Sequence, residues 1–373
     1  MKKIILLLIT ILLITGLACN LTASKTEDES IEPGETSENT GEMEPTEEAL
    51  AEERVTIEEP TPEKADEAGQ AAVDENVSQP IDASLDPSPP TKPVKLIFIH
   101  HSSGENWLND EHGGLGLALM ANNYFVSDTN YGWGPDGIGD RTDLGNWWEW
   151  FAGPEHERYL EAVFNESGQN SPYSRLEDDP GGENTIIMFK SCFPNSALRG
   201  SPGALPATGE NPLRGQDASS EAHTVANAKG IYNDLLETFN AHPDKLFIVI
   251  TAPPLGDFET DSSQAANARA LNRWLVEDWL AGYPLNNVAV FDFYNVLTSN
   301  GGDAFTNDAG SGGGNHQRYQ DGEVQYVTDQ GSDESAYAAE GDSHPTAAGN
   351  QKATEEFLPL LNIFFHRWLA SQP

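Results

Sequence analysis

Hydrophobic residues are spread very unevenly along this chain. From Val94 onward, short apolar runs alternate with stretches of helical spacing. Lys95–His100, Tyr124–Asp128, Thr185–Lys190, Lys245–Ile250 and Val288–Phe293 are five such runs. Each has the length of a strand and is nearly continuous in apolar side chains, as a strand covered on both faces requires. Between and after them, helical spacing predicts helices over Gly113–Asn122, Glu157–Asn165, Ser219–Phe239, Ser262–Leu280 and from near Pro345 to about Ala370. Strands that alternate with helices predict an α/β domain built on a five-stranded parallel sheet. The stretch from residue 94 to residue 373 is long enough for one such domain with long loops.

The pattern before Val94 is different. Met1-Lys2-Lys3, an apolar run from Ile4 to Ile14, and Gly16-Leu17-Ala18-Cys19 have the order of a signal peptide. The apolar run is too short to span a bilayer comfortably. A cysteine just after the small residues resembles the lipobox of bacterial lipoproteins. That resemblance implies cleavage before Cys19, a lipid on its sulfur, and a protein held on the outer face of the cell membrane. Residues 20–93 are acidic, rich in Thr, Ser, Pro and Ala, and contain no aromatic residue. Such a segment buries too little surface to offset its ordering entropy, which predicts a disordered linker. Like charges extend it, and Asp86-Pro87-Ser88-Pro89-Pro90 closes it as a stiff boundary.

The formal net charge of −40 excludes nucleic acid as a partner, because the field of the chain repels phosphate. With Cys19 lipidated, Cys192 is left without an intrachain partner, so no disulfide framework is expected.

In open parallel sheets, ligands bind beyond the carboxyl ends of the strands. The first strand ends in His100-His101-Ser102-Ser103-Gly104. A hydroxyl at a strand tip is placed for attack but needs a base within hydrogen-bond reach. Glu340-Gly341-Asp342-Ser343-His344-Pro345, just before the last helix, supplies a histidine with acids beside it.

A serine directly after the first strand, paired with Asp-x-His-Pro before the C-terminal helix, resembles the SGNH/GDSL hydrolases. The resemblance implies a three-layer α/β/α sandwich with a flavodoxin-like sheet, and hydrolysis of esters, many of them acetyl esters of carbohydrates. Carried over residue by residue, it implies Ser102 as nucleophile, with Ser103 as rival, and His344 as base. Asp342, two residues before the base, is the expected acid, with Glu340 as the alternative. Gly132 and Asn195 take the oxyanion-hole positions.

Trp107, Trp133, Trp147, Trp148 and Trp150 offer flat faces for a sugar ring, and Trp107, Trp133 and His101 are the expected substrate contacts. His100 and His101 are expected to line the cleft. Asp136, Asp140, Asp143, Asp303, Asp308 and Asp321 sit in Gly-rich loops but lack the EF-hand spacing, so no metal is assigned, and no cofactor is needed. The expectation is an exported serine esterase acting on O-acyl, chiefly acetyl, esters of a small molecule or glycan. A catalytically inactive glycan-binding lipoprotein on the same fold, or a thiol enzyme using Cys192, are the alternatives. The oligomeric state is left open.

Overall fold

The computed structural model describes residues 85–298, 316–320, 322–327 and 333–372. The signal peptide, Cys19, most of the acidic linker, and Asp303, Asp308 and Asp321 lie outside the described residues. In chain order the elements are β1 (Val94–Ile99), α1 (Ser102–Leu108), α2 (Leu115–Ala121), β2 (Tyr124–Thr129), α3 (Trp147–Phe151), α4 (His156–Asn165), β3 (Ile186–Lys190), α5 (Val225–Ala241), β4 (Leu246–Ile250), α6 (Ser262–Glu277), β5 (Val288–Phe291), α7 (Phe293–Leu297), β6 (His316–Gln320), β7 (Glu323–Val327), β8 (Ala338–Ala339), β9 (Asp342–Pro345) and α8 (Ala347–Ala370). None of the described helices is long and apolar enough to cross a membrane.

β1 to β5 form one all-parallel sheet in the order β2-β1-β3-β4-β5. The alternation of side chains along each strand divides the interior into two cores. Ile97, Ile99, Ile187, Phe189, Phe247 and Val249 face α3, α4, α5 and α6. Leu96, Phe98, Met188, Ile248 and Phe291 face α1, α2, α7 and α8. Helices thus cover both faces, giving a three-layer α/β/α arrangement, and the strands read as unbroken apolar runs because neither face meets water.

The helices are fixed at their starts by side-chain caps. Thr224 accepts the N–H of Asn227, and Asp261 accepts those of Ser263 and Gln264. α8 begins two residues later than the proline suggested, because Pro345 closes β9 and Thr346 caps the helix. The acidic linker was expected to run to residue 93, yet the chain already docks before that. Pro87 and Ser88 carbonyls accept hydrogen bonds from Asn362 and His366 of α8, and the Pro90 carbonyl accepts one from Asn123.

Strand order reverses at β1, which has β2 on one side and β3 on the other. A crevice opens at such a point beyond the carboxyl ends. Ile99 and Phe189 are register partners, so residues three places further along each chain, Ser102 and Cys192, leave the sheet at the same level.

Candidate active site

Ser102 is the first residue of α1, preceded by His101 in extended conformation. The turn is tight: a β-carbon on Gly104 would stand 2.3 Å from that of His100. His100 is fully buried below this turn, not in the cleft as expected. Its Nδ1 lies 2.8 Å from the His101 carbonyl, and its Nε2 lies 3.2 Å from Asp128 Oδ2. Asp128, also fully buried, accepts the Asn170 N–H and the Tyr173 hydroxyl as well. Burial pushes the Asp128 carboxyl up, but the His100 ring and the Asn170 N–H outweigh it and hold it below the ordinary value. His100 is therefore a buried support for the turn that carries Ser102.

His344 arrives from β9, which pairs with β8. Its neighbour Ser343 is buried, accepts the Gly256 N–H and donates to Glu259, which pins the strand. The Ser102 hydroxyl donates to His344 Nε2 at 2.8 Å. On the far side of the ring, Nδ1 donates to Asp342 Oδ1 at 2.7 Å, and the same oxygen accepts the His344 N–H at 2.9 Å. Asp342 fills the orienting position; Glu340 is exposed. Burial pushes the Asp342 carboxyl up, but the two bonds from His344 prevail and hold it low.

Ser103, the rival serine, is fully buried. Its oxygen accepts Lys190 Nζ at 2.5 Å and stands 3.2 Å from Cys192 Sγ. Cys192 Sγ is also 3.6 Å from Ser102 Oγ, the hydroxyl that donates to His344 Nε2. Burial would raise its thiol, but the His344 ring, the Lys190 charge and the two serine hydroxyls bring it down to about 6. Lys190 is buried, and burial lowers its ammonium to about 8 against the opposing pull of Cys192. The hydrogen bond to Cys192 raises His344 most; burial opposes it, and Asp342 adds to it. The Phe193 ring meets His344 edge-on at 4.7 Å.

Both expected oxyanion donors are engaged elsewhere. The Gly132 N–H is given to Asp140 at 2.8 Å. Asn195 is buried, its amide donating to Asp143 at 2.5 Å and its oxygen accepting the Leu144 N–H. It ties the loop before α3 to the turn after β3. The first backbone bonds of α1 come from Gly104 and Glu105, both to the His101 carbonyl, and preceding them in the chain are the first-turn N–H groups of Ser102 and Ser103, which an α-helix leaves without an intrahelical acceptor.

The expected sugar platform is largely core. Trp107 is fully buried, stacked on Phe293 at 4.7 Å, and its indole N–H is given to Thr354. Trp147 and Trp150 are buried; Trp133 is half-buried, stacks on Trp150 and donates to Glu166. His101 stacks on the exposed ring of Tyr131 at 4.0 Å and donates to the Gly139 carbonyl, and burial lowers its ring below the ordinary value. Of the acidic residues in the first loop, Asp136 pairs with Arg158, Asp140 holds Gly132, and Asp143 holds Asn195 and the Ala218 N–H. Among the described residues no group of three or more His, Cys, Asp or Glu side chains is arranged to hold a metal ion.

Reasoning from sequence missed Lys190 and the placing of Cys192 beside Ser102. The signal was present in Lys190-Ser191-Cys192, which stands at the carboxyl end of a central strand next to β1.

No known protein family matches this sequence, and no curated protein does. One solved crystal structure matches over 71% of this chain and 94% of its own, at 13% identity and a TM-score of 0.31, too loose a likeness to argue from.

Proposed function

We propose that this protein is a serine esterase in which Ser102, His344 and Asp342 act as nucleophile, base and orienting acid. The observation that carries this reading is the continuous relay from the Ser102 hydroxyl through the His344 ring to the Asp342 carboxylate. A serine is a weak nucleophile until a base takes its proton, and the base works best when a third group fixes its tautomer.

Ser102 Oγ attacks the ester carbonyl while its proton passes to His344 Nε2. Asp342 stabilises the imidazolium that forms. The first-turn N–H groups of Ser102 and Ser103 are the donors nearest the oxygen that gains charge. The intermediate collapses, the alcohol leaves with the proton from His344, and an acyl group remains on Ser102. Water then attacks the acyl carbon as His344 takes its proton, and collapse returns that proton to Ser102.

The substrate class we propose is an O-acylated, chiefly acetylated, carbohydrate. Tyr131, exposed and stacked on His101 beside the site, supports it as a flat face for a ring. The signal-like segment and Cys19 support export and a lipid anchor. The test is labelling of the full chain with a fluorophosphonate probe. Labelling lost in Ser102→Ala and His344→Ala, but kept in Ser103→Ala, supports the esterase. A folded wild-type protein that takes no label overturns it.

A second reading is favoured by Cys192, whose sulfur stands 3.6 Å from the Ser102 hydroxyl. In that reading the thiolate attacks and Ser102 lines the pocket. Hydrolysis kept in Ser102→Ala but lost in Cys192→Ala would select it.

A further inference from the structure

Lys190 is a lysine at the end of a central strand, and its ammonium has no obvious reason to be buried. Its side chain is 1% exposed. Among the described residues no carboxylate lies within ion-pair distance of it. Burying an unpaired charge is costly, and a structural lysine at a strand end would ordinarily reach water or an acid. Lys190 instead donates to Ser103 Oγ at 2.5 Å and to the Ser191 carbonyl at 3.2 Å. Because the ammonium only donates, Ser103 accepts from it, and the same hydroxyl stands 3.2 Å from Cys192 Sγ. The sulfur in turn stands 3.6 Å from Ser102 Oγ, which donates to His344 Nε2 at 2.8 Å. A buried cation is thus connected by one hydroxyl to the sulfur, and the sulfur by a second hydroxyl to His344.

We propose that Lys190 is a positioning residue that decides whether a proton rests on Cys192 or on His344. This rests on the esterase reading for its consequence at Ser102. With Lys190 charged, the thiolate–imidazolium pair is favoured, because the thiolate is the anion that the ammonium lacks. In that form His344 already carries a proton and cannot take the one on Ser102. With the cation removed, the neutral thiol and neutral imidazole are favoured, and His344 is free to act as base. Two titratable groups joined through one hydroxyl titrate as a pair, so a change at one must appear at the other with opposite sign. The charged and titratable groups around the pair are few. Lys190 and His344 face Cys192; Cys192 and Asp342 face His344, with His112 near enough to repel its charge.

The test follows Cys192 and His344 separately in the full chain. Alkylation of Cys192 by iodoacetamide, read at that residue by mass spectrometry, gives the pH at which the thiolate appears. The ring resonances of His344, assigned by their loss in His344→Ala, give the pH at which the imidazolium disappears. In Lys190→Met the alkylation midpoint is expected to move up by about one pH unit or more, and the His344 midpoint to move down. Lys190→Arg keeps the charge and is expected to hold both near wild type. Should Lys190→Met not fold, Ser103→Ala removes a single oxygen from the connection and is expected to move both midpoints in the same senses by less. Midpoints that coincide with wild type in the folded variants, or that move in the same direction, overturn the proposal. If the midpoints move oppositely while the wild-type protein takes no fluorophosphonate label, the role of Lys190 stands and the esterase reading fails.

Discussion

Ser102 Oγ and Cys192 Sγ stand 3.6 Å apart, each three residues beyond a pair of register partners in adjacent parallel strands. The closeness follows from the sheet. β1 and β3 are neighbours because strand order reverses at β1, and their chains leave the carboxyl edge at the same level. Two potential nucleophiles therefore stand side by side, and Ser102 reaches His344 on a hairpin 242 positions away in the chain.

This arrangement sets the pH dependence. His344 is raised above 6.5 by its bond to Cys192, against burial and with help from Asp342. The ring must be neutral to accept the Ser102 proton. The rate of fluorophosphonate labelling is therefore expected to climb with pH through a midpoint above 6.5, measured from pH 5 to 9. The stability sign follows from the same shift: a raised histidine stabilises the fold below its unfolded value and loses that contribution as pH rises through its folded value. Asp342, held low, contributes above 3.8 and loses its contribution as pH falls below it. A labelling midpoint at or below 6.5 would contradict the geometry around His344.

Asp342→Asn is expected to slow labelling strongly while leaving the fold intact. Asparagine can present its amide to Nδ1 and favour the wrong ring tautomer, an effect that reaches about 10⁴-fold in a fully buried triad. Asp342 is about half exposed, so a smaller loss is expected here. Glu340→Gln, at an exposed position without a place in the relay, is expected to label at the wild-type rate. Equal losses in the two variants would remove Asp342 from the orienting role.

The sequence made the sheet legible because a strand covered on both faces leaves an unbroken apolar run, and all five runs became strands. Ser102, His344 and Asp342 were legible because each stands at a strand or helix boundary beside residues of matching chemistry. What remained hidden depends on the third dimension. The Gly132 N–H is spent on Asp140, eight positions on, and Asn195 on Asp143, 52 positions back. Neither pairing leaves a trace in local spacing. Short helices such as α1 and α7 are fixed by packing on the sheet rather than by a sustained apolar period. The role of Lys190 depends on burial, which a lysine at the end of an apolar run does not announce.

Gly104→Ala probes the nucleophile turn. The added β-carbon would fall 2.3 Å from that of His100, and that neighbour is held on both sides by hydrogen bonds. Forcing a methyl group into such a contact costs about 1–3 kcal/mol. Denaturant unfolding is expected to show that loss, and labelling of Ser102 is expected to fall in the fraction that remains folded. A variant as stable and as reactive as wild type would mean that the turn can move without cost.

Asp128→Ala separates support of the turn from chemistry. His100 and Asp128 are both fully buried, and removing the carboxylate leaves the His100 ring facing a space without an acceptor. Leaving a buried hydrogen-bonding group unsatisfied typically costs about 1–3 kcal/mol. A loss of that size is expected in denaturant unfolding, together with weaker labelling of Ser102, whose turn rests on His100.

Trp107 decides between a sugar contact and a core residue. Its ring lies between Phe293, Phe291 and Phe357, and its N–H is satisfied by Thr354. Trp107→Ala removes the largest side chain where α1 meets α7 and α8, and such a truncation costs about 3–5 kcal/mol. Tyr131→Ala removes an exposed ring and is expected to leave stability within about 0.5 kcal/mol. If a carbohydrate ester is the substrate, Tyr131→Ala is expected to raise KM with little change in Tm. Trp107→Ala is expected to lower Tm, with KM unchanged in protein that remains folded. A selective KM effect from Trp107→Ala at unchanged Tm would return that residue to the substrate site.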